Sequence, residues 1–186
     1  TDVMATCGVH AGFQTTSCYV NNDLPVPFKG SLTITGIDFA SGAEKKLKVM
    51  ALDMPAGVGI TQQFDLGSPV NGTTTMLHAV VTDASGKVVN DNYIPFTEPK
   101  NMLLPKADVT FTIGSAPNLD GSVDVTVVAD KVAVYVTLTT TAQGRFSENA
   151  FVMTPGTRKL SFIPLTGFHL AELAKTTRVE HAAAYM

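Results

Sequence analysis

Short apolar runs that alternate with polar residues constrain the fold of this chain more than any other feature of its sequence. Residues 31–35 alternate with period two and stop at Gly36, and residues 47–52 repeat the pattern. A period of two places successive side chains on opposite faces of a β-strand. Such runs recur roughly every ten residues, which is the rhythm of sandwiches and barrels and not of alternating strands and helices.

The second half of the chain repeats this pattern after a proline-rich stretch. Proline cannot donate to a central ladder, and three prolines fall within eleven residues, at Pro95, Pro99 and Pro105. We therefore place a junction in residues 93–106. The sequence predicts an all-β fold of two consecutive immunoglobulin-like β-sandwich domains. The first, residues 1–95, is immunoglobulin-like or carbohydrate-module-like, and the second is a C-terminal sandwich with a tail, residues 96–186.

The tail differs from the rest of the chain. Residues 170–185 are rich in Ala, Leu and Glu, and Leu170, Leu173 and Ala174 have helical spacing. Thr176, Thr177 and Val179 weaken that pattern because β-branched residues are poorer helix formers. A short helix and an extended tail that docks on a neighbouring domain are both compatible with this sequence.

Charge and hydropathy exclude several classes of partner. The net charge is −3 and no basic block occurs, so binding to nucleic acid or to an anionic membrane has no electrostatic support. No apolar run approaches the roughly 20 residues that span a bilayer. The first residues form no charged-then-apolar leader, so we expect the chain to begin inside a mature protein.

Two cysteines and one glycosylation sequon each allow two interpretations. Cys7 and Cys18 are either two buried thiols on neighbouring strands or a disulfide that closes a short hairpin, and their spacing fits neither a redox motif nor a metal site. Asn71 begins the sequence Asn-Gly-Thr, an acceptor for N-linked glycans. Asn-Gly is also the favoured two-residue hairpin turn, so the sequence leaves glycosylated loop and plain turn open.

Side chains for catalysis or cofactor binding are not grouped in this sequence. Sugar hydrolysis usually needs two carboxylates held close together, and the five glutamates are dispersed at Glu44, Glu98, Glu148, Glu172 and Glu180. The four histidines have no metal-ligand spacing, and they are His10, His78, His169 and His181. We expect no metal and no cofactor. Without tryptophan, and with only scattered tyrosines, the chain has little support for binding sugar by itself.

One segment carries a specific resemblance. Residues 144–151 resemble the G-R-F-S-D-N-x-F signature near the C-terminus of β-mannosidases of glycoside hydrolase family 2. The matching residues are Gly144, Arg145, Phe146, Ser147, Glu148, Asn149 and Phe151. Residues 91–100 are similar to the family's crossing between its last two β domains, and residues 153–164 to the strand that follows. Glu148 stands where the family has Asp, which is expected to change one loop hydrogen bond.

The resemblance implies a particular place in a larger enzyme. Family members consist of two β domains, a catalytic (β/α)8 barrel and two further β-sandwiches, and this chain resembles the last two. The partners implied are therefore the barrel and the other domains of the same enzyme. The family hydrolyses terminal β-mannosyl residues with retention, and its catalytic glutamates lie in the barrel, so no catalytic residue is assigned here. Because animal members are lysosomal, a lysosomal or secreted location is expected.

Two other functions remain as alternatives. A free-standing immunoglobulin-like binding or adhesion module would be supported by exposed aromatic residues or a leader, and the sequence indicates neither. A self-sufficient enzyme would need a carboxylate pair. We interpret residues 144–151 as a structural clasp: Phe146 and Phe151 are five apart, so an unbroken strand would send them to opposite faces. A loop at residues 147–149 is therefore expected to turn both rings toward apolar surroundings, with Arg145 near the surface.

Overall fold

The computed structural model describes residues 3–9, 15–65, 70–165 and 167–186. Within these residues the regular secondary structure consists of antiparallel β-strands, one short α-helix and two 3₁₀ helices. It divides into two compact units. The first comprises the chain up to Leu103 except Ala40–Gly42, and the second comprises Ala40–Gly42 and Leu104–Met186. The all-β class predicted from the sequence is confirmed.

The first domain consists of two sheets. One sheet has the order β1-β2-β5 and the other β4-β3-β6-β7. The strands are β1 (Val3–Val9), β2 (Thr15–Asn22), β3 (Phe28–Asp38), β4 (Glu44–Met54), β5 (Val58–Asp65), β6 (Thr75–Asp83) and β7 (Val88–Pro95). Alternate residues from both sheets form one buried cluster, as in a β-sandwich. Leu32 and Ile34 of β3 lie opposite Val81 and Ala79 of β6, and all four side chains are fully buried.

Cys7 and Cys18 form a disulfide between the first two strands. The register of β1 and β2 pairs them directly across the ladder, and they are joined in the structure. Both are buried in the core of the first domain. Spacing alone left thiols and a disulfide as alternatives, because only the register of the hairpin decides whether two cysteines on neighbouring strands face each other.

The division between the units falls inside the proline-rich stretch, between Leu103 and Leu104. Sequence analysis placed the domain boundary earlier, after Pro95. Residues 96–103 belong to the first unit because Phe96 is buried in its core and the Leu103 N–H donates to the Thr73 carbonyl at 2.7 Å. A 3₁₀ helix, Pro99–Asn101, turns the chain between these two anchors.

The second domain also consists of two sheets, of order β11-β13-β9-β8 and β12-β10-β14. Its strands are β8 (Val109–Ile113), β9 (Val123–Ala129), β10 (Ala133–Thr139), β11 (Gly144–Phe146), β12 (Phe151–Met153), β13 (Gly156–Pro164) and β14 (Arg178–Glu180). Valines of β9 alternate inward and pack with Phe162 of β13 and Leu138 of β10. The second core is therefore also enclosed between two sheets.

The tail forms a helix followed by a strand. The helix α1 (Leu170–Thr176) buries Leu173 completely, and the hydroxyl of Thr177 donates to the Leu173 carbonyl at 2.7 Å where the helix ends. β14 then pairs with β10. The short helix suggested by the spacing is thus present, and a second 3₁₀ helix, Ala182–Ala184, follows. None of the helices in the described ranges combines the length and apolar character needed to cross a membrane.

Candidate functional site

The signature residues 144–151 connect the two sheets of the second domain. β11 pairs with β13, so that Arg145 lies opposite Ile163 and Phe146 opposite Phe162. β12 pairs instead with β10, where Phe151 lies opposite Val136. Residues 147–150 are therefore a crossing loop between sheets. This crossing is the break in the strand that the odd spacing of the two phenylalanines requires.

Both rings of the signature contact the core. Phe151 is 8 % exposed. Phe146 is half-buried, and its ring lies 5.3 Å from the ring of Phe162 in an edge-to-face arrangement. Phe162 in turn is fully buried and lies 5.5 Å from Phe168. The crossing loop thus anchors an aromatic residue in the apolar interior at each of its ends.

Asn149 acts as a substitute strand partner for β10. Its Oδ1 accepts a hydrogen bond from the Leu138 N–H at 2.7 Å, and its Nδ2 donates to the Leu138 carbonyl at 2.9 Å. Leu138 is 1 % exposed, so these backbone groups would be costly to leave without partners. The next residue, Ala150, has a φ of 56°. This left-handed conformation is unfavourable for alanine, so the bonds of Asn149 hold the loop in a strained turn.

Glu148 pairs with Arg158 of β13. One carboxylate oxygen accepts from both Nε and Nη2 of the guanidinium, the first at 2.9 Å. The same guanidinium lies 4.9 Å from the centre of the Phe151 ring, within cation–π range. The longer side chain at the position where the family has Asp is therefore accommodated by an ion pair that covers the buried ring.

The remaining signature residues have backbone or packing roles, except one. The Ser147 N–H donates to the Ser161 carbonyl at 2.7 Å, which extends the ladder of β11. A Cβ at Gly144 would lie 2.3 Å from Cζ of Phe162, so the close approach of the strands requires glycine. Arg145 is exposed, and no side-chain hydrogen bond or ion pair is recorded for it among the described residues.

The other predicted residues lie away from this loop. Asn71 is exposed in the turn before β6. Neither Asn71 nor Gly72 has the positive φ that a two-residue hairpin turn of this type needs, and β5 and β6 belong to different sheets. Residues 71–74 therefore form a turn, as one of the two alternatives predicted, although it is not a two-residue hairpin. Nε2 of His78 lies 3.4 Å from a carboxylate oxygen of Asp91, and its ring stacks on Tyr93 with 4.2 Å between the ring centres. His10 lies outside the described residues.

Several carboxylates of the described residues bind side chains or backbone of their own domain. Glu98 pairs with Lys100 at 2.7 Å, and Glu172 accepts from the Thr141 hydroxyl at 2.9 Å. Hydrogen bonds from Ser85 lower the pKa of Asp83, and hydrogen bonds from Ser122 lower that of Asp120; both aspartates stabilise turns. In the described ranges no group of three or more His, Cys, Asp or Glu is arranged to hold a metal ion.

The sequence indicated the position of the loop, but not the residues to which its side chains bond. Arg158 lies ten residues after Glu148, and Leu138 lies eleven residues before Asn149. Neither spacing is a local motif, so only the pairing of β13 and β10 with their neighbours could reveal them. The composition of residues 147–149 indicated only that their side chains would bond to backbone, because such residues commonly do so in turns.

Comparison with known protein families relates the second domain to a domain of mannosidases. Residues 104–185 match the family model Ig_mannosidase, described as an Ig-fold domain. The matched stretch begins at the first residue after the division of the chain, and covers almost all of the second unit. No sequence among curated proteins matches the chain significantly.

Solved structures extend the similarity of fold to the whole chain. The β-D-mannosidase of Dictyoglomus thermophilum matches with a TM-score of 0.73 and 17 % identity, over 97 % of this chain and 21 % of that chain. The exo-chitosanase CsxA of Amycolatopsis orientalis matches with a TM-score of 0.61 and 18 % identity, over 97 % of this chain and 25 % of that chain. This chain thus spans a quarter or less of either enzyme. These matches agree with the resemblance carried by residues 91–164: residues 104–185 are similar to the Ig-fold domain of mannosidases, and the whole chain has the fold of part of each of these two glycosidases.

Proposed function

We propose that this chain forms the non-catalytic C-terminal accessory domains of a retaining β-mannosidase, in which a (β/α)8 barrel of the same enzyme hydrolyses terminal β-mannosyl residues. The observation that carries the proposal is the use made of the signature. Asn149, Glu148 and Ser147 bond to Leu138, Arg158 and Ser161 of their own domain. Their polar groups therefore stabilise a loop and are not presented to a substrate.

The chemistry of retention supports the same conclusion. It requires an acid and a nucleophile about 5 Å apart on a rigid frame. Within the signature loop the carboxylate is Glu148, and it is already paired with Arg158. The described contacts of the loop bring no second carboxylate to it. In the described structure the carboxylate of the signature loop is thus bound within its own domain, and cleavage is assigned to the barrel of the larger enzyme.

Arg145 is the signature residue best placed to contact the rest of the enzyme. It lies on β11, an edge strand of its sheet, and its side chain is exposed. A guanidinium presents several N–H donors in a fixed planar arrangement, which suits a carboxylate or backbone carbonyls of a neighbouring domain. Arg145 is therefore assigned to docking, whereas its neighbours in the signature hold the loop.

The substrate class has one further candidate. CsxA is described as an exo-chitosanase and as an exo-β-D-glucosaminidase, so a glucosaminide is the alternative to a mannoside. A mannoside is favoured, because residues 144–151 resemble the mannosidase signature and lie within the stretch that matches the mannosidase family model. A lysosomal or secreted location fits the disulfide between Cys7 and Cys18, because disulfides persist in oxidising compartments.

The native gene product tests the proposal. An antibody raised against this chain should detect in source cells a polypeptide several times larger than 19.6 kDa, and the immunopurified product should hydrolyse 4-nitrophenyl β-mannoside faster than the β-glucosaminide. The purified 186-residue chain should hydrolyse neither. Turnover by the isolated chain that is lost in Glu148→Gln or Glu172→Gln would overturn the proposal, as would a native product of 19.6 kDa without associated glycosidase activity.

A further inference from the structure

The turn at residues 71–74 holds the Asn71 side chain in one orientation at the surface. Its Oδ1 accepts hydrogen bonds from the Thr73 N–H at 3.1 Å and from the Thr73 hydroxyl at 2.8 Å. The Asn71 carbonyl accepts from the Thr74 N–H at 3.1 Å. Both side-chain bonds use the oxygen of the amide, and no described hydrogen bond uses Nδ2. The nitrogen to which a glycan is attached is thus the end of the side chain that the turn does not engage.

The residue between Asn71 and Thr73 is fixed by packing. A Cβ at Gly72 would lie 2.5 Å from Cβ of Phe96, which is buried in the core of the first domain. Glycine is therefore explained by close approach. This explanation accounts for Gly72 alone and does not account for Asn71, which is exposed, or Thr73, which is partly exposed. Asn71-Gly72-Thr73 is also the one Asn-x-Ser/Thr sequence in the chain.

A groove of about 280 Å³ lies beside Asn71. Its lining combines partly buried apolar side chains with polar ones, among them Leu47, Val70, Glu44, Lys45 and Thr75. The carbon-bearing face of a pyranose can pack on leucine and valine while its hydroxyl groups meet the polar lining. The surface next to the attachment point can therefore hold a first sugar without displacing protein side chains.

A second and independent observation is the disulfide of the same domain. Cys7 and Cys18 are directly paired across β1 and β2 and are oxidised. Such bonds are typical of secreted and endoplasmic-reticulum proteins, and N-linked glycans are added to secreted proteins at surface loops. The disulfide and the exposed sequon thus both indicate a protein that passes through the endoplasmic reticulum.

We propose that Asn71 carries an N-linked oligosaccharide and that its first N-acetylglucosamine lies in the groove beside Leu47 and Val70. The donor is a lipid-diphosphate-linked oligosaccharide. The bond from its anomeric carbon to the phosphate oxygen breaks, the bond from that carbon to Nδ2 forms, Nδ2 loses one proton, and the lipid diphosphate leaves. The proposal does not depend on the glycosidase function of the larger protein.

Mapping of the native protein tests the modification. The protein is purified from its source cells and treated with peptide N-glycosidase in heavy-oxygen water, which converts a glycosylated asparagine to labelled aspartate. The peptide that contains Asn71 is expected to carry the label, and the intact mass is expected to fall. An unlabelled Asn71 peptide from native protein whose Cys7–Cys18 disulfide is intact would overturn the proposal.

Variants of the secreted chain separate the sequon from the fold. Thr73→Ala and Asn71→Gln should abolish the mass shift, whereas Thr73→Ser should retain it because it keeps the hydroxyl. Asn118→Gln is the matched control, since Asn118 also lies in a turn and is outside any sequon. It should leave the shift unchanged. In the glycosylated protein, nuclear Overhauser contacts should join the acetyl methyl of the first sugar to the methyl groups of Leu47 and Val70; their absence would refute the groove assignment.

Discussion

Replacement of Asn149 by alanine is the most direct test of how the signature loop is held. The change removes two hydrogen bonds, at 2.7 and 2.9 Å, between the amide side chain and the backbone of Leu138. Because Leu138 is 1 % exposed, its N–H and carbonyl lose partners that water replaces poorly. Each bond contributes about 1 kcal/mol net, and an unsatisfied buried group costs about 1–3 kcal/mol. We expect Asn149→Ala to lower the free energy of unfolding of the second domain by about 2–4 kcal/mol.

A matched control lies in the same domain. Asn118 also makes two hydrogen bonds through its side chain, to Ser122 at 3.1 Å and to Asp124 at 2.9 Å. After the asparagine is removed, water can bind the exposed Asp124 carboxylate, and the Ser122 hydroxyl keeps its hydrogen bond to Asp120. Asn118→Ala should therefore cost less than about 1 kcal/mol. The difference between the two losses of unfolding free energy measures what hydrogen bonds to buried backbone groups contribute to stability.

The assay must report on the second domain alone, because a chain of two domains need not unfold in one step. Native-state hydrogen exchange of amides in β9 and β10 meets this need. A loss of 2–4 kcal/mol corresponds to a reduction in protection of roughly 30- to 700-fold. Asn149→Asp gives an internal check: it keeps the acceptor for the Leu138 N–H, and at neutral pH it places an oxygen against the Leu138 carbonyl. Equal protection in Asn149→Ala and the parent, or equal losses at Asn149 and Asn118, would refute the reasoning.

Three further expectations concern the core, the turns and the junction. Phe151→Ala should lower the stability of the second domain by about 3–5 kcal/mol, since the ring is buried; chemical unfolding that leaves its midpoint unchanged would contradict this. Hydrogen bonds from Ser85 and Ser122 lower the pKa of Asp83 and Asp120 in the folded state. The stability that these carboxylates add is therefore present above the unfolded pKa of about 4 and is lost as the pH falls through the lowered values. Asp83→Asn and Asp120→Asn should each reduce the fall in melting temperature between neutral and acidic pH, and an unchanged slope would argue against these bonds. Limited trypsin digestion should cut near Lys100 or Lys106, both exposed, and leave two β-rich fragments in gel filtration and circular dichroism; initial cleavage within β3 or β9 would contradict a junction there.

The strands were predictable because each pattern is local. The alternation in residues 31–35 lies within β3, and that in residues 47–52 lies within β4. The pairing of Cys7 with Cys18 was not predictable, since a shift of one residue in the hairpin would have turned them to opposite faces. Asn71-Gly72 correctly indicated a turn, but a turn signal cannot show whether the strands that flank it pair with each other, and β5 and β6 do not.

The candidate site was predictable to a similar extent: its loop could be foreseen, but its hydrogen-bond partners could not. The odd separation of Phe146 and Phe151, with polar residues between them, requires the strand to break. The partners that stabilise the break come from β10 and β13 and depend on which strands meet in the folded domain. The sequence therefore indicated a loop with two buried ends, whereas its bonds to Leu138 and Arg158 follow from sheet order, which alternation does not encode.

Gly144, the first residue of the signature, provides the last test of a structural role. A Cβ there would lie 2.3 Å from Cζ of Phe162 and 2.6 Å from the Ile163 carbonyl oxygen. Phe162 is fully buried and cannot swing into solvent, so Gly144→Ala must displace β11 from β13 at a cost of about 1–3 kcal/mol. At Gly114 of the same domain the nearest atom to a Cβ is 3.3 Å away, so Gly114→Ala is the milder control.

A double-mutant cycle distinguishes a clash with the ring from a general intolerance of side chains at this position. Phe162→Leu removes the edge of the ring that the new methyl group would meet, so the combined variant should lose less stability than the sum of the two single losses. Chemical unfolding of the four proteins measures this coupling. Strictly additive losses would place the conflict at the Ile163 carbonyl, and a stable Gly144→Ala variant would show that the glycine of the signature is not there to let the strands approach.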